Sequence, residues 1–323
     1  MRHRTLGRRA DGTPGPEVSV LCLGAMPFGT RVDEARAFAL LDRFTERGGT
    51  FVDTADNYSF WHDGACGDES ELVLGRWFAA RGNRDAVVLA TKVGARPAGP
   101  GEWPANAEGL SAAAVRTAVD GSLKRLGTER IDLLYGHLDD RRAPLAETVD
   151  AFGALVREGT VDVLGSSNQL TWRLERARAL ARTRGLAGYS CLQQRHTYLR
   201  PRPGADFGVQ QPVTPELLDY VRAEPGLTLL AYGPLLHGAY AAPARPLPPQ
   251  YDHPDSAARL AALREVAADT GATPGQVVLA WLLGGDIPVL PVIGATTLAQ
   301  LDEALDAAGL DLTPAQRTHL DGA

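Results

Sequence analysis

The chain has 323 residues, of which 44% are hydrophobic and 22% charged, a globular composition that excludes wholesale disorder. Lys and Arg total 33 against 39 for Asp and Glu, a formal net charge of −6, which argues against a surface that binds nucleic acid by neutralising phosphates. A local basic pocket for a small anion stays compatible with that balance.

The elements alternate along the chain. A first apolar run, Val20–Gly24, is followed by an amphipathic stretch, Asp33–Arg47. The same pair recurs as Thr50–Ala55 with Glu69–Arg81, Ala86–Lys92 with Ser111–Leu126, and Ile131–His137 with Pro144–Glu158. It continues as Val161–Ser167 with Thr171–Arg182, Tyr189–Gln194 with Pro215–Ala223, Leu227–Gly233 with Ser256–Ala268, and Val289–Gly294 with Thr297–Ala307. The runs are too short for average helices and read as buried parallel strands. Caps or early prolines mark helix starts at Thr214-Pro215 and Asp255-Ser256, and Gly127, Gly159 and Gly185 stand near helix ends. Val277–Leu283 and Pro314–Leu320 add two helices.

Eight strands in strict alternation with helices fit an open doubly wound sheet or a closed (β/α)8 TIM barrel. No G-x-G-x-x-G follows the first strand, and polar residues end many different strands, which favours the barrel. One domain over residues 1–323 is therefore expected, with extra helices and long loops on the C-terminal face. Those loops are Ser59–Asp68, Gly94–Gly109 and the proline-rich Leu235–Pro254, which includes Pro243.

Three cysteines, Cys22, Cys66 and Cys191, lie far apart without zinc-ligand spacing, as in a reduced cytoplasmic protein without a structural metal. The basic opening Met1–Arg9 leads towards apolar Val18–Phe28, but Asp11, Pro14, Pro16 and Glu17 interrupt it, so a signal peptide is not expected. No apolar run approaches the ~20 residues of a membrane span.

Strand ends carry the candidate chemistry. Asp53 lies near the end of the second strand with Tyr58 five residues on, Lys92 ends the third and His137 the fourth. Adjacent strands share one rim of a barrel, so the four side chains converge. A phenol is a weak acid near neutrality, and an ammonium beside it lowers its pKa. Asp53 would orient Lys92, Lys92 would sit behind Tyr58, and Tyr58 would protonate an alkoxide whose oxygen His137 polarises. That is carbonyl reduction, and its hydride implies a nicotinamide cofactor. A metal-dependent barrel hydrolase, suggested by His62-Asp63 and His137 with Asp139 and Asp140, leaves Tyr58 and Lys92 without a role.

The chain resembles the aldo-keto reductases. The likeness runs through Leu23-Gly24-Ala25-Met26-Pro27-Phe28-Gly29, Asp53-Thr54-Ala55 with Tyr58, Ser70-Glu71, Thr91-Lys92, Asp132-Leu133 with His137, and Gly165-Ser166-Ser167-Asn168. It ends with Ala231-Tyr232-Gly233-Pro234-Leu235 and Pro291-Val292-Ile293-Gly294-Ala295, in family order over nearly the whole chain. The resemblance implies NADP(H) bound across the barrel mouth, with a small-molecule carbonyl or alcohol as substrate. Ser167, Asn168 and Gln194 would hold the carboxamide, and Tyr232 would stack on the nicotinamide. Gly233, Pro234, Leu235 and Leu236 would give backbone donors to the pyrophosphate, and Gly294, Thr296, Gln300 and Glu303 would hold the adenosine end. Phe28, Trp61 and Trp103 would line the substrate pocket.

Thr296 stands where many members carry an arginine for the 2′-phosphate, and Ala304 where asparagine is common. Losing the guanidinium opens the way to NAD(H), with Arg195 one electrostatic substitute. A nucleotide-binding regulatory protein on the same fold is the alternative class, against which the intact tetrad counts.

Overall fold

The computed structural model describes residues 1–241, 245–287 and 289–323; Pro243 lies outside them. The chain opens with two short antiparallel strands, β1 (His3–Thr5) and β2 (Glu17–Ser19), registered His3 to Ser19. This hairpin was not expected from the sequence. Its three-residue strands are too short for a readable alternation, yet Leu6 and Val18 are fully buried and the loop is sewn to the barrel floor. Gly7 N donates to Thr228 Oγ1 (2.9 Å) and Arg8 N to Ser190 Oγ (3.0 Å).

Eight strand–helix units follow. They are β3 (Cys22–Gly24) and α1 (Glu34–Glu46), β4 (Phe51–Asp53) and α2 (Glu69–Arg81), β5 (Val88–Val93) and α3 (Ala112–Leu126), and β6 (Ile131–Gly136) and α4 (Leu145–Arg157). Then come β7 (Val161–Ser167) and α5 (Thr171–Arg184), β8 (Cys191–Arg195) and α6 (Pro215–Ala223), and β9 (Thr228–Tyr232) and α7 (Pro254–Thr270). An extra helix, α8 (Pro274–Leu283), precedes β10 (Leu290–Ile293) and α9 (Leu298–Asp306), and α10 (Pro314–Gly322) ends the chain. All eight barrel strands pair in parallel, and β10 closes the ring by pairing with both β9 and β3. The expected TIM barrel is the fold observed.

Local chemistry sets the helix limits. Thr214, Thr273, Thr297 and Thr313 cap their helices, and Thr273 and Thr313 form reciprocal capping boxes with Gln276 and Gln316. Gly127 and Gly185 cap α3 and α5 in the left-handed region, whereas α4 is capped by Glu158, one residue before Gly159. Helix α7 begins at Pro254, with His253 as its cap and not Asp255.

The barrel interior is packed solid below the mouth. Tyr135 is fully buried, and a Cβ on Gly165 of the neighbouring strand would lie 2.5 Å from its ring. Only glycine leaves that ring its space. Near the mouth, Ser70 at the start of α2 donates to Ala25 O (2.8 Å) and lies 2.7 Å from Thr54 Oγ1, locking the ends of β3 and β4 together.

Candidate active site

Asp53 is the last residue of β4, and Lys92 is the penultimate residue of β5, both about 1% exposed. Lys92 Nζ is in tight contact with Asp53 Oδ1 and also donates to Thr54 O (2.8 Å) and to the Tyr58 hydroxyl (2.6 Å). Tyr58 in turn donates to Asp53 Oδ1 at 3.3 Å. His137, just past β6, presents its ring edge-on to Tyr58 with centroids 5.8 Å apart. The four side chains converge as expected.

The loop holding Tyr58 is pinned on both sides. Asp56 N donates to Lys92 O (3.1 Å) and Asn57 Nδ2 to Ala95 O (3.1 Å). Ser59 takes a left-handed φ of 69° and is held by its Oγ on Met26 O (2.8 Å). A non-glycine residue in that region stores strain, which these contacts offset. Tyr58 is thereby fixed by backbone as well as by its hydroxyl.

Charge states follow from burial. Burial pushes the Tyr58 phenol well above its ordinary value, and the charge and hydrogen bond of Asp53 act in the same direction. This corrects the lowering expected from Lys92: Asp53 already neutralises the ammonium, so desolvation dominates. Burial draws Lys92 downward, opposed by Asp53. Burial, followed by the charge of Lys92, pulls His137 well below the usual imidazole range. Asp56, wholly buried, is pushed well above the carboxylate range by burial, with Glu108 and Glu71 adding to it.

Sequence reasoning missed Gln193. Its Nε2 donates to Asp53 Oδ2 (2.8 Å), completing the shell around that carboxylate. Gln194, expected beside Ser167 and Asn168, reaches the other way to Gln169 O (2.8 Å) and leaves its own Oε1 buried without a partner among the described residues. Strand alternation explains the correction, since successive side chains of β8 leave opposite faces.

Ser167 and Asn168 do lie at the mouth. Ser167 Oγ donates to Gln193 O (2.8 Å) and accepts from Asn168 Nδ2 (3.1 Å). Asn168, at φ 56°, also donates to His137 O (3.1 Å) and accepts from the Tyr232 hydroxyl (2.7 Å). Tyr232 and Asn168 are thus directly linked.

After β9 the chain turns at Gly233, φ 64°. Pro234 lacks an N–H and cannot be a donor; its carbonyl accepts from Thr197 Oγ1 (2.6 Å). Leu236 N–H is spent on Gly233 O (3.2 Å), and its side chain is buried. Of the four residues expected to donate, Gly233 and Leu235 remain. At α9 Gln300 Oε1 accepts from Thr296 N (2.9 Å) and Thr296 Oγ1 (3.0 Å), while Glu303 accepts from Thr273 Oγ1 (2.7 Å). Gly294 is exposed with open space around its Cβ position.

Phe28 is a further correction. It is fully buried in the core beneath the first mouth loop, while the neighbouring Met26 is 39% exposed. Trp61 and Trp103 are 52% and 37% exposed, and both pack on Phe60, with centroids 5.2 and 5.7 Å away. Asp139 and Asp140 are engaged elsewhere, with Arg173 and with Leu110 N (2.8 Å). Of the described residues, no helix is long and apolar enough to cross a membrane.

A family model described as "Aldo/keto reductase family" matches residues 20–323. The chain is 34% identical to "Uncharacterized oxidoreductase YrpG" of Bacillus subtilis, over 93% of this chain and 90% of that protein. It is 36% identical to "Norsolorinic acid reductase stcV" of Emericella nidulans (96% of this chain, 78% of that one). It is 29% identical to "Aryl-alcohol dehydrogenase GME11368" of Pestalotiopsis microspora (97% and 79%). A closed eight-stranded barrel with a buried Lys–Asp pair behind a tyrosine, and these matches along nearly its full length, make the chain an oxidoreductase of the aldo/keto reductase family.

Proposed function

We propose that residues 1–323 act as one catalytic domain that interconverts an aromatic aldehyde or ketone and its alcohol with NADP(H), and with NAD(H) as an accessible second cofactor. The observation that carries the reading is the Lys92 ammonium bridging Asp53 and the Tyr58 hydroxyl at the barrel mouth. The aromatic class is supported by Phe60, Trp61 and Trp103 around that mouth and by the aryl-alcohol name of one relative.

The residues present fit a nicotinamide dinucleotide. Asn168 and Tyr232 would flank its nicotinamide, and Gly233 and Leu235 would face its pyrophosphate. Gly294, Thr296 and the start of α9 would take its adenosine end, where helix N–H groups favour anions. When bound, the cofactor supplies or accepts the hydride.

The side chains handle the proton. With its pKa raised, Tyr58 is protonated at neutral pH and its hydroxyl can turn from Asp53 towards a carbonyl oxygen. Neutral His137 donates a hydrogen bond to the same oxygen and polarises it. As negative charge grows there, the Tyr58 proton passes to the oxygen, and the phenolate left behind is held by the Lys92 N–H. Alcohol oxidation runs the same path backwards.

The test is nicotinamide absorbance with the purified chain and a panel of aromatic and aliphatic carbonyls. Turnover highest with aromatic carbonyls is expected. Tight dinucleotide binding without turnover of any carbonyl would overturn the enzymatic reading.

A further inference from the structure

Arg195 ends β8 two residues after Gln193, so alternation places it on the same, inward face at the mouth. Its partners are neutral: Nε donates to the Tyr251 hydroxyl (3.2 Å) and Nη1 to Gln210 Oε1 (2.8 Å). The guanidinium also lies against the rings of Phe207 and Tyr251, 5.3 and 5.7 Å from their centroids. Several withdrawn guanidiniums have a carboxylate, as Arg84 with Asp132 (2.8 Å), Arg125 with Glu71 (2.7 Å) and Arg178 with Glu224 (3.0 Å), while Arg259 spends its Nε and Nη1 on the main-chain oxygens of Tyr198 (3.1 Å) and Ala323 (2.9 Å). Arg195 has no carboxylate among the described residues. A cation drawn partly out of water, held flat by two aromatic rings and not neutralised, is prepared for an anion.

Its position says which anion. Arg195 Nη1 is 4.0 Å from the Cβ position of Gly233, at the start of the turn after β9. Arg245 Nη1 lies 3.1 Å from the Cβ position of Gly238 at the far end of the same turn. Between them sits His237, whose imidazole is lowered by burial and then by the charges of Arg195, Arg245 and Arg31. Two guanidiniums therefore flank the Gly233–Gly238 turn, one at each end.

We propose that Arg195 binds the dinucleotide pyrophosphate, with Arg245 completing a cationic clamp around the Gly233–Gly238 turn. This rests on the nicotinamide-dependent reading above. It places binding strength on the group shared by NADH and NADPH, in a chain that lacks a cation at Thr296.

The experiment is equilibrium binding, by calorimetry, of NADPH, NADH, ADP-ribose and adenosine 2′-phosphate to the full chain and to R195Q and R195K. In R195Q, the three pyrophosphate ligands are expected to weaken alike by about 10- to 100-fold. Adenosine 2′-phosphate is expected to be unaffected, and R195K to restore part of the loss. The salt dependence of NADH binding should flatten in R195Q, which a purely structural role would not produce. R195K carries the same comparison should R195Q fail to fold. Unchanged pyrophosphate affinities would overturn the proposal. So would a loss confined to NADPH and adenosine 2′-phosphate, which would assign Arg195 to the 2′-phosphate, or a change only in KM for a carboxylated carbonyl. A parent chain that binds none of these ligands would overturn the functional reading itself.

Discussion

The Lys92 ammonium lies 2.6 Å from the Tyr58 hydroxyl while ion-paired to Asp53, so the cation behind the phenol is already neutralised. Tyr58 consequently rests as a neutral acid with an N–H donor in place for its conjugate base. Tyr58→Phe removes the transferable proton and little volume. Reduction should fall by about 10²- to 10⁴-fold, with dinucleotide affinity unchanged by direct titration. A Tyr58→Phe protein of full activity would show that the proton comes from elsewhere.

The same ion pair is buried, and breaking it from one side should cost stability. Lys92→Met leaves the Asp53 carboxylate with Gln193 and Tyr58 as its donors, a loss of about 3–5 kcal/mol in denaturant unfolding. Adding Asp53→Asn removes the uncompensated charge and should recover most of that loss, yet neither protein should turn over. A double variant no more stable than Lys92→Met would sink this account of the pair.

The barrel and the tetrad were legible because they follow from spacing. Short apolar runs alternating with helices fix eight parallel strands, and parallel strands bring their C-terminal residues to one rim. Side-chain direction in β8 was not legible. Cys191, Leu192, Gln193 and Gln194 are all buried, so no polar–apolar alternation marks the inner face or singles out Gln193. Phe28 failed for a related reason: its motif places it at the mouth, but the loop turns its ring down into the core and leaves Met26 outside.

Packing inside the barrel gives a sharp expectation. The Cβ of Gly165→Ala would meet the Tyr135 ring at 2.5 Å, and Tyr135 is walled in on β6. Overpacking should destabilise by about 1–3 kcal/mol. Gly165→Ala/Tyr135→Leu should regain part of it, and a single variant with parental thermal and denaturant midpoints would refute the contact.

Acid sensitivity should have a histidine component. Burial lowers His196 to about 4, with its ring 5.8 Å from that of Trp281. The unfolded imidazole titrates near 6.5, so between those values the unfolded chain binds more protons. Stability from this group is complete above about pH 6.5 and is lost as pH falls towards 4, on the order of 3 kcal/mol. His137 shifts in the same direction. The parent's unfolding free energy should drop more steeply than that of His196→Gln across this interval; parallel curves would exclude the contribution.

Cofactor preference should be tunable at Thr296 without touching the clamp. Thr296 is bonded to Gln300 through both N and Oγ1, and no guanidinium stands at that position to grip a 2′-phosphate. Thr296→Arg supplies a charge-assisted, bidentate donor at the start of α9. Affinity for NADPH should rise about tenfold while that for NADH stays level, because only NADPH carries the added phosphate. Parallel titrations decide it, and an equal gain for both cofactors would mean the new charge acts on the pyrophosphate. Combined with R195Q, which should weaken both cofactors alike, the Thr296→Arg gain should persist for NADPH alone, since the two cations would then address different phosphates.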